Sequence, residues 1–164
     1  ATGRTEPCDV WELARQRLSV AGQIAVRDLP RLADQLVDAR GHLDFRFSGG
    51  TDGRGRPAAV LELQGTVHAA CDRCGEPVAL SIAEQAAFFF VADEADLGRL
   101  PIDESPDEPL LGSRCFDLGT LIEDQAILAL PFRLGMTGAP AWRRGRFGRH
   151  RSRRRDGRLR PLQR

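Results

Sequence analysis

Two strand-like runs joined by a short cysteine turn restrict the fold more than any other part of the chain. Residues 59–69 alternate between apolar and polar side chains, and residues 77–91 form a second long apolar-rich run. The turn between them is Cys71-Asp72-Arg73-Cys74-Gly75-Glu76-Pro77. Because a side-chain period of two is typical of a half-buried strand, the pattern predicts two long antiparallel strands with the cysteines at their junction.

The residues before this hairpin predict a further long strand, a short strand and a helix. Residues 18–26 alternate as a short strand, and residues 43–47 alternate as a half-buried one. Between them, Asp28 is a candidate cap for a helix that ends at Gly41. Residues 49–55 contain four glycines and predict a flexible loop.

The residues after the hairpin predict an acidic linker and a final helix. The linker, residues 92–112, has room for one short edge strand near Leu100–Ile102. Asp117 is the predicted cap of the helix, and Pro131 ends it. We expect Glu123 and Asp124 to lie outside the helix's buried stripe, which consists of Leu118, Leu121, Ile122, Gln125 and Leu128.

The predicted fold class is therefore α+β: an antiparallel sheet of three long strands plus short edge strands, flanked by two helices. We divide the chain into three parts: a weakly ordered N-terminal segment, residues 1–17; a folded domain, residues 18–132; and a disordered basic tail, residues 133–164. Within the N-terminal segment, Val10, Trp11 and Leu13 are the residues that could dock on the domain.

The net charge of +1 conceals a strong asymmetry. Residues 1–132 contain 12 Arg against 22 Asp and Glu, whereas residues 133–164 contain 12 Arg against the single Asp156. No apolar run approaches the roughly 18 residues of a membrane span, and four cysteines without a secretion signal predict a reducing, cytoplasmic setting.

Cys71 and Cys74 have a spacing that suits one metal ion or one disulfide. A zinc site needs two further ligands, and only His68 and the distant Cys115 are candidates, so zinc is an alternative rather than the main expectation. A thioredoxin-like site requires a helix after the cysteines, where a strand is predicted. A tight turn stabilised by buried thiols explains the motif equally well.

Asp117, Glu123 and Asp124 are the candidate acid–base groups, but no nucleophile or histidine lies near them in sequence. Asp117 is better explained as a helix cap, and Glu123 with Asp124 as a solvated or partner-facing edge. The glycines at 49 and 50 lack the Lys and Ser/Thr of a phosphate-binding loop. We therefore do not expect an enzyme.

The cysteine turn followed by the acidic helix, residues 117–131, resembles the YceD-like family of large ribosomal RNA subunit accumulation proteins. The resemblance begins at about Leu13 and ends at Phe132. It implies a non-enzymatic ribosome biogenesis factor needed for normal synthesis or accumulation of large-subunit ribosomal RNA. The implied partners are ribosomal RNA, a large-subunit ribosomal protein or an assembly factor, with no membrane, no small-molecule substrate and no obligatory cofactor.

On this interpretation the candidate partner-binding residues are Cys71, Arg73, Cys74, Glu123 and Asp124. One alternative is a small zinc- or thiol-dependent RNA-binding module. A thiol oxidoreductase is a third, weaker reading of the same cysteines.

The Arg-rich segment, residues 133–164, departs from the family pattern. A one-nucleotide shift in frame would turn Arg133-Leu134-Gly135-Met136-Thr137 into a Pro-x-His-Asp-like element that the family has at this place. We therefore favour a frameshift product. The competing hypothesis is a genuine tail that binds RNA phosphates, with Trp142 and Phe147 as stacking groups.

Overall fold

The computed structural model of the chain describes residues 5–101 and 107–131. Within these ranges the predicted α+β class is confirmed: one five-stranded sheet is accompanied by four α-helices and one 3-10 turn. The strands are β1 Ser19–Ala25, β2 His42–Thr51, β3 Pro57–Ala70, β4 Pro77–Val91 and β5 Glu108–Leu111. The helices are α1 Val10–Gln16, α2 Pro30–Ala33, α3 Glu94–Gly98 and α4 Leu118–Leu128, and the 3-10 turn is Val26–Asp28. The predicted tail, residues 133–164, lies outside the described ranges.

The sheet is mixed, so the prediction of a purely antiparallel sheet is wrong. Its strands follow chain order, and the first four are antiparallel. The fifth, β5, runs parallel to the end of β4, with Phe88 opposite Glu108. The edge strand predicted near Leu100–Ile102 is wrong for Leu100, because that leucine packs with Phe89 beside α3 instead. Ile102 lies outside the described residues.

The three predicted long strands are present as β2, β3 and β4. On β3, Leu61 and Leu63 are buried whereas Glu62 is exposed, so the predicted alternation is confirmed. The predicted loop at residues 49–55 is shorter than expected, because residues 49–51 pair with residues 57–59 and lengthen β2. Backbone pairing continues there because a glycine strand can still form every ladder hydrogen bond.

The N-terminal residues are more structured than the sequence suggested, since residues 10–16 form α1. The Asp9 carboxylate caps this helix by accepting hydrogen bonds from the backbone N–H groups of Trp11 (2.9 Å) and Glu12 (3.1 Å). Val10 and Leu13 are buried, as predicted for docking residues. A sequence cap and an apolar face together therefore hold the helix on β2.

The second helix is shorter than predicted and does not use the predicted cap. It spans only Pro30–Ala33. Its N-cap is Leu29, whose side chain forms no hydrogen bond to the helix. Leu29 and Leu32 are buried in the core, whereas Val37 is exposed. Asp28 is therefore not the helix cap.

The final helix begins at the predicted cap, Asp117, but its buried face is rotated from the predicted one. Leu121 and Ile122 are buried as expected, whereas Leu128 is 70% exposed and Glu123 only 6% exposed. With about 100° between successive residues, the buried Ala126 and Ala129 shift the centre of the face towards Glu123. Leu128 then falls beyond its edge.

The core lies between one face of the sheet and the helices α1, α2 and α4. The opposite face bears α3 at one end, where Leu97 packs with Phe89 and Val91. Over β1 to β3 that opposite face is polar and exposed, as Asp44, Arg46 and Glu62 illustrate. The fold therefore has one covered face and one largely open face.

Candidate functional site

The cysteine turn connects β3 to β4 immediately after the last strand pair, Ala70 opposite Pro77. Two backbone hydrogen bonds close it: the N–H of Cys71 donates to the carbonyl of Glu76 (2.9 Å), and the N–H of Gly75 donates to the carbonyl of Cys71 (2.8 Å). Gly75 has a φ of 74°, in the left-handed region that favours glycine. The prediction that the motif forms the junction between two strands is confirmed.

The two cysteines of the turn differ in accessibility. Cys71 continues the buried side of β3 and is 3% exposed, whereas Cys74 is exposed, and neither forms a disulfide. Arg73 is also exposed, so it points outward as expected. The turn thus presents one thiol and one guanidinium to solvent and keeps the other thiol within the fold.

The other two cysteines, Cys8 and Cys115, are remote from the turn, as predicted, and lie at the opposite end of the sheet. Cys8 forms an isolated antiparallel bridge with Phe116, which adjoins Cys115 in the chain. The Phe116 ring contacts that of Phe90 near the end of β4 (6.0 Å between centroids), a full strand length from the cysteine turn. Burial raises the pKa of the Cys8 thiol, and the neighbouring Asp9 raises it further. Because Cys8 and Cys115 lie a full strand length from the cysteine turn, neither of them can complete a metal site there.

His68, the other candidate ligand, lies on β3 an odd number of residues from Cys71, so its side chain emerges on the opposite face. Its Nδ1 atom is buried without a hydrogen-bond partner in the part of the chain that is described. Across residues 5–101 and 107–131, no group of three or more His, Cys, Asp or Glu side chains is placed to hold a metal ion. The four-ligand arrangement considered from the sequence is therefore not formed by these residues.

Glu123 has a role that the sequence did not reveal. From α4 its Oε1 accepts hydrogen bonds from the backbone N–H groups of Arg31 (2.6 Å) and Leu32 (3.2 Å), the first turn of α2. Its Oε2 accepts from Nε of Arg31 (2.9 Å). The expectation that Glu123 lies outside is wrong, because its carboxylate supplies the cap that α2 lacks in its own sequence.

Asp124 takes part in the same contact from the exposed side. Its Oδ1 lies 2.7 Å from Nη1 of Arg31, and both side chains are about half exposed. Hydrogen bonds to Asp124 and Glu123 raise the pKa of the Arg31 guanidinium. The acidic pair therefore joins α4 to α2 within the molecule, and no sequence signal identified Arg31 as its partner.

Asp117, the third candidate acid, caps α4 as predicted. Its Oδ1 accepts from the N–H of Thr120 (3.1 Å) and its Oδ2 accepts from the Thr120 hydroxyl (2.8 Å). Together with Glu123 it lines a cleft of about 530 Å³ that also includes Glu6 and Asp28. Asp117 and Glu123 therefore both cap helices, α4 and α2 respectively.

The comparison with protein-family models gives one match. Residues 59–136 match the family described as "Large ribosomal RNA subunit accumulation protein YceD", which confirms the resemblance over this part of the chain. Residues 59–136 are YceD-like. No curated protein and no solved structure matches the chain.

The YceD-like segment contains most of β3, the cysteine turn, β4, β5 and α4. It begins within β3, so α1, β1 and β2 lie before it even though β2 pairs with β3 along nine residue positions. It ends at residue 136, just inside the Arg-rich segment. The resemblance predicted for residues 13–58 stays a prediction. Among the described residues, no helix has the length and apolar character needed to cross a membrane.

Proposed function

We propose that this YceD-like chain is a non-enzymatic ribosome biogenesis factor that bacteria need for normal synthesis or accumulation of large-subunit ribosomal RNA. The observation that carries the proposal is the family match over residues 59–136. That range includes both features on which the resemblance rested, the cysteine turn and α4. The protein acts in the cytoplasm and uses no small-molecule substrate.

The cysteine turn is the proposed contact with the partner. The pairing of β3 with β2 ends at Gly65, whereas its pairing with β4 continues to Ala70. The last residues of the β3–β4 hairpin therefore extend past the end of β2 and place Arg73 and Cys74 at an exposed tip. In this proposal the buried Cys71 side chain holds the tip in place, and the partly exposed carboxylate of Asp124 on α4 forms a second contact with the partner.

The charge of the chain before the Arg-rich segment favours a basic partner. Residues 1–132 contain 22 acidic residues and 12 Arg, so this part of the chain has a net negative charge. That charge attracts a basic protein over several ångströms and increases the rate of encounter. A large-subunit ribosomal protein or an assembly factor fits this better than a direct contact between the acidic domain and RNA, whose phosphates it would repel.

The test is the ratio of large- to small-subunit ribosomal RNA in bacterial cells whose copy of the gene has been deleted. We expect the ratio to fall, and the full chain to restore it. Arg73→Ala, which removes the side-chain contact without adding negative charge, should restore it poorly, whereas Arg54→Ala, at an exposed arginine in the other hairpin turn, should act as wild type. A normal ratio in the deleted cells would refute the proposal, and equal rescue by both variants would remove Arg73 from the contact.

The alternative, a zinc- or thiol-dependent RNA-binding module, makes a different prediction about composition. Purified protein would contain stoichiometric zinc that is lost in Cys71→Ser and Cys74→Ser but kept in Cys115→Ser, a matched exposed cysteine. Elemental analysis of the three variants separates the two functions, since the primary proposal requires no metal.

A further inference from the structure

The strand β1 forms one edge of the sheet, and its outer side pairs with no described strand. Its first five residues, Ser19 to Gln23, are all exposed. The ladder to β2 is regular from Ser19 opposite Ser48 to Ala25 opposite His42, without a bulge. A straight edge of this length is a template for pairing with another strand.

This edge lacks the features by which proteins usually prevent such pairing. The sequence from Ser19 to Ala25 contains no charged residue and no proline. The other edge, β5, is only four residues long and includes both Glu108 and Pro109. One edge of the sheet is thus protected and the other is open.

The backbone groups of β1 that face outward follow from the hydrogen bonds at its two ends. The N–H of Gly49 donates to the carbonyl of Leu18, and the N–H of Val26 donates to the carbonyl of Gly41. Even-numbered residues of β1 therefore bond to β2, and because bonding alternates along an antiparallel strand, Ser19, Ala21 and Gln23 direct their N–H and carbonyl groups away from the sheet.

Three arginines border this edge: Arg15 and Arg17 before β1, and Arg27 after it. None of them forms a salt bridge within the described ranges. The seven residues of β1 span roughly 20 Å, and Arg17, at the C-cap of α1, and Arg27, in the 3-10 turn, lie two residues beyond its two ends. The edge is consequently neutral along its length, with Arg15 and Arg17 before it and Arg27, which adjoins the exposed Asp28, after it.

We infer that β1 binds an extended segment of another protein as a sixth strand, and that this segment is uncharged for about seven residues and acidic at both ends. Main-chain hydrogen bonds to Ala21 and its outward-facing neighbours provide the contact, and Arg17 and Arg27 select the acidic ends. A second copy of this chain fits less well, because antiparallel pairing centred on Gly22 places Arg17 opposite Arg27. The inference depends on the sheet edge alone and not on the proposed role in ribosomal RNA accumulation.

The test uses the full chain and a synthetic peptide of alternating Thr and Val with two Asp at each end. Amide hydrogen exchange, read residue by residue, localises binding even though the Arg-rich segment also attracts acidic peptides. We expect slower exchange at Ser19, Ala21 and Gln23. A peptide with Arg in place of each Asp should bind about tenfold more weakly, as should the acidic peptide to a double variant, Arg17→Glu with Arg27→Glu.

Ala21→Pro removes an outward N–H without removing a bond to β2, and edge strands tolerate such a proline. It should abolish the protection at Ser19 and Gln23, whereas Ala21→Val, which keeps the N–H, should preserve it. Equal protection in both variants would overturn the inference, and so would unchanged exchange at β1 in the wild type. Protection of β1 by an oligouridine instead of the peptide would show that the occupant is RNA. A wild-type dimer that Ala21→Pro dissociates would show that the occupant is a second copy of this chain.

Discussion

At the scale of single residues, the carboxylate of Glu123 connects two helices that are about 90 positions apart in the chain. The first N–H groups of any α-helix lack partners inside the helix. In α2 those of Arg31 and Leu32 bond to Glu123 rather than to a local cap. The short α2 therefore depends on α4 for its N-terminal hydrogen bonds.

Removing this carboxylate should destabilise the fold. We expect Glu123→Ala to lower the free energy of unfolding by about 2–3 kcal/mol, because two N–H groups and part of an ion pair lose their acceptor while Arg31 can still reach water. Asp124→Asn is the matched control and should cost less than about 1 kcal/mol, since both partners of that pair are half exposed. Urea unfolding of the two variants measures the difference, and equal losses would contradict the capping role.

A second carboxylate, Asp52, organises the turn between β2 and β3. It accepts hydrogen bonds from the N–H groups of Arg54 (2.9 Å) and Arg56 (2.8 Å) and from Nε of Arg56 (2.6 Å). The Arg56 guanidinium also lies over the ring of Phe89, 3.5 Å from its centroid. Burial alone raises the pKa of Asp52, but the hydrogen bonds from Arg56 and Arg54 outweigh it and leave the pKa below its ordinary value.

This shift predicts a pH dependence of stability. Because the folded pKa is below the unfolded value of about 3.9, the unfolded state takes up protons first as the pH falls. The contribution of Asp52 is therefore complete above about pH 5 and decreases as the pH falls through 3.9 towards the lower folded pKa. In urea unfolding between pH 6 and pH 3, the stability difference between wild type and Asp52→Asn should shrink. A constant difference would show that Asp52 does not contribute through its charge.

At the scale of elements, α4 provides a comparison between two leucines on the same helix. Leu121 is buried in the core, whereas Leu128 is exposed. Leu121→Ala should cost roughly 2–5 kcal/mol, the usual range for a large-to-small change in a core. Leu128→Ala should change stability by less than about 0.5 kcal/mol. Chemical denaturation of both variants tests how α4 packs, and a large loss for Leu128→Ala would contradict the rotated face.

The docking of α1 depends on a close backbone approach at one glycine. A Cβ at Gly49 would overlap the Leu13 carbonyl, whereas a Cβ at the adjacent Gly50 would meet nothing within 4 Å. Gly49→Ala should therefore cost about 1–3 kcal/mol and displace α1, and Gly50→Ala should not. Trp11, which packs on Phe90 and on Gly112, reports the displacement through its fluorescence in a Trp142→Phe background. Similar spectra for the two alanine variants would count against this contact.

At the scale of the whole molecule, positive charge is concentrated in the Arg-rich segment, residues 133–164. Residues 133–164 contain half of the 24 basic residues and a single acidic one. We expect any binding of the full chain to single-stranded RNA to weaken steeply with salt, and a chain ending at residue 132 to lose most of that dependence. Fluorescence anisotropy with oligouridine at several salt concentrations measures both slopes, and equal slopes would place the RNA contact in the domain.

The same truncation addresses the frameshift hypothesis for residues 133–164. If that segment is out of frame, a chain ending at residue 132 should support the ribosomal RNA ratio in cells as well as the full chain does, and restoring the other frame should improve it. Loss of function on truncation, without rescue by the restored frame, would instead favour a genuine basic tail. The nucleotide sequence around the codon for Phe132 is the direct check.

Local patterns in the sequence determined the parts of this protein that rest on local physics. Alternation placed β3 and β4, because neighbouring side chains on a strand face opposite sides whatever surrounds them. Asp117 identified the start of α4, because a cap bonds to backbone groups within its own turn. The spacing of the cysteines with Gly75 and Pro77 identified the hairpin turn and, by resemblance, the family.

Only the tertiary structure decided how those elements meet. The parallel pairing of β5, the docking of α1 at Gly49 and the capping of α2 by Glu123 each join residues that are distant in the chain, so no local period records them. The same is true of Leu128: a helix repeat defines an apolar stripe, but the neighbouring sheet and helices decide which part of it they cover. The open edge of β1 is likewise a property of strand order, which alternation within one strand cannot specify.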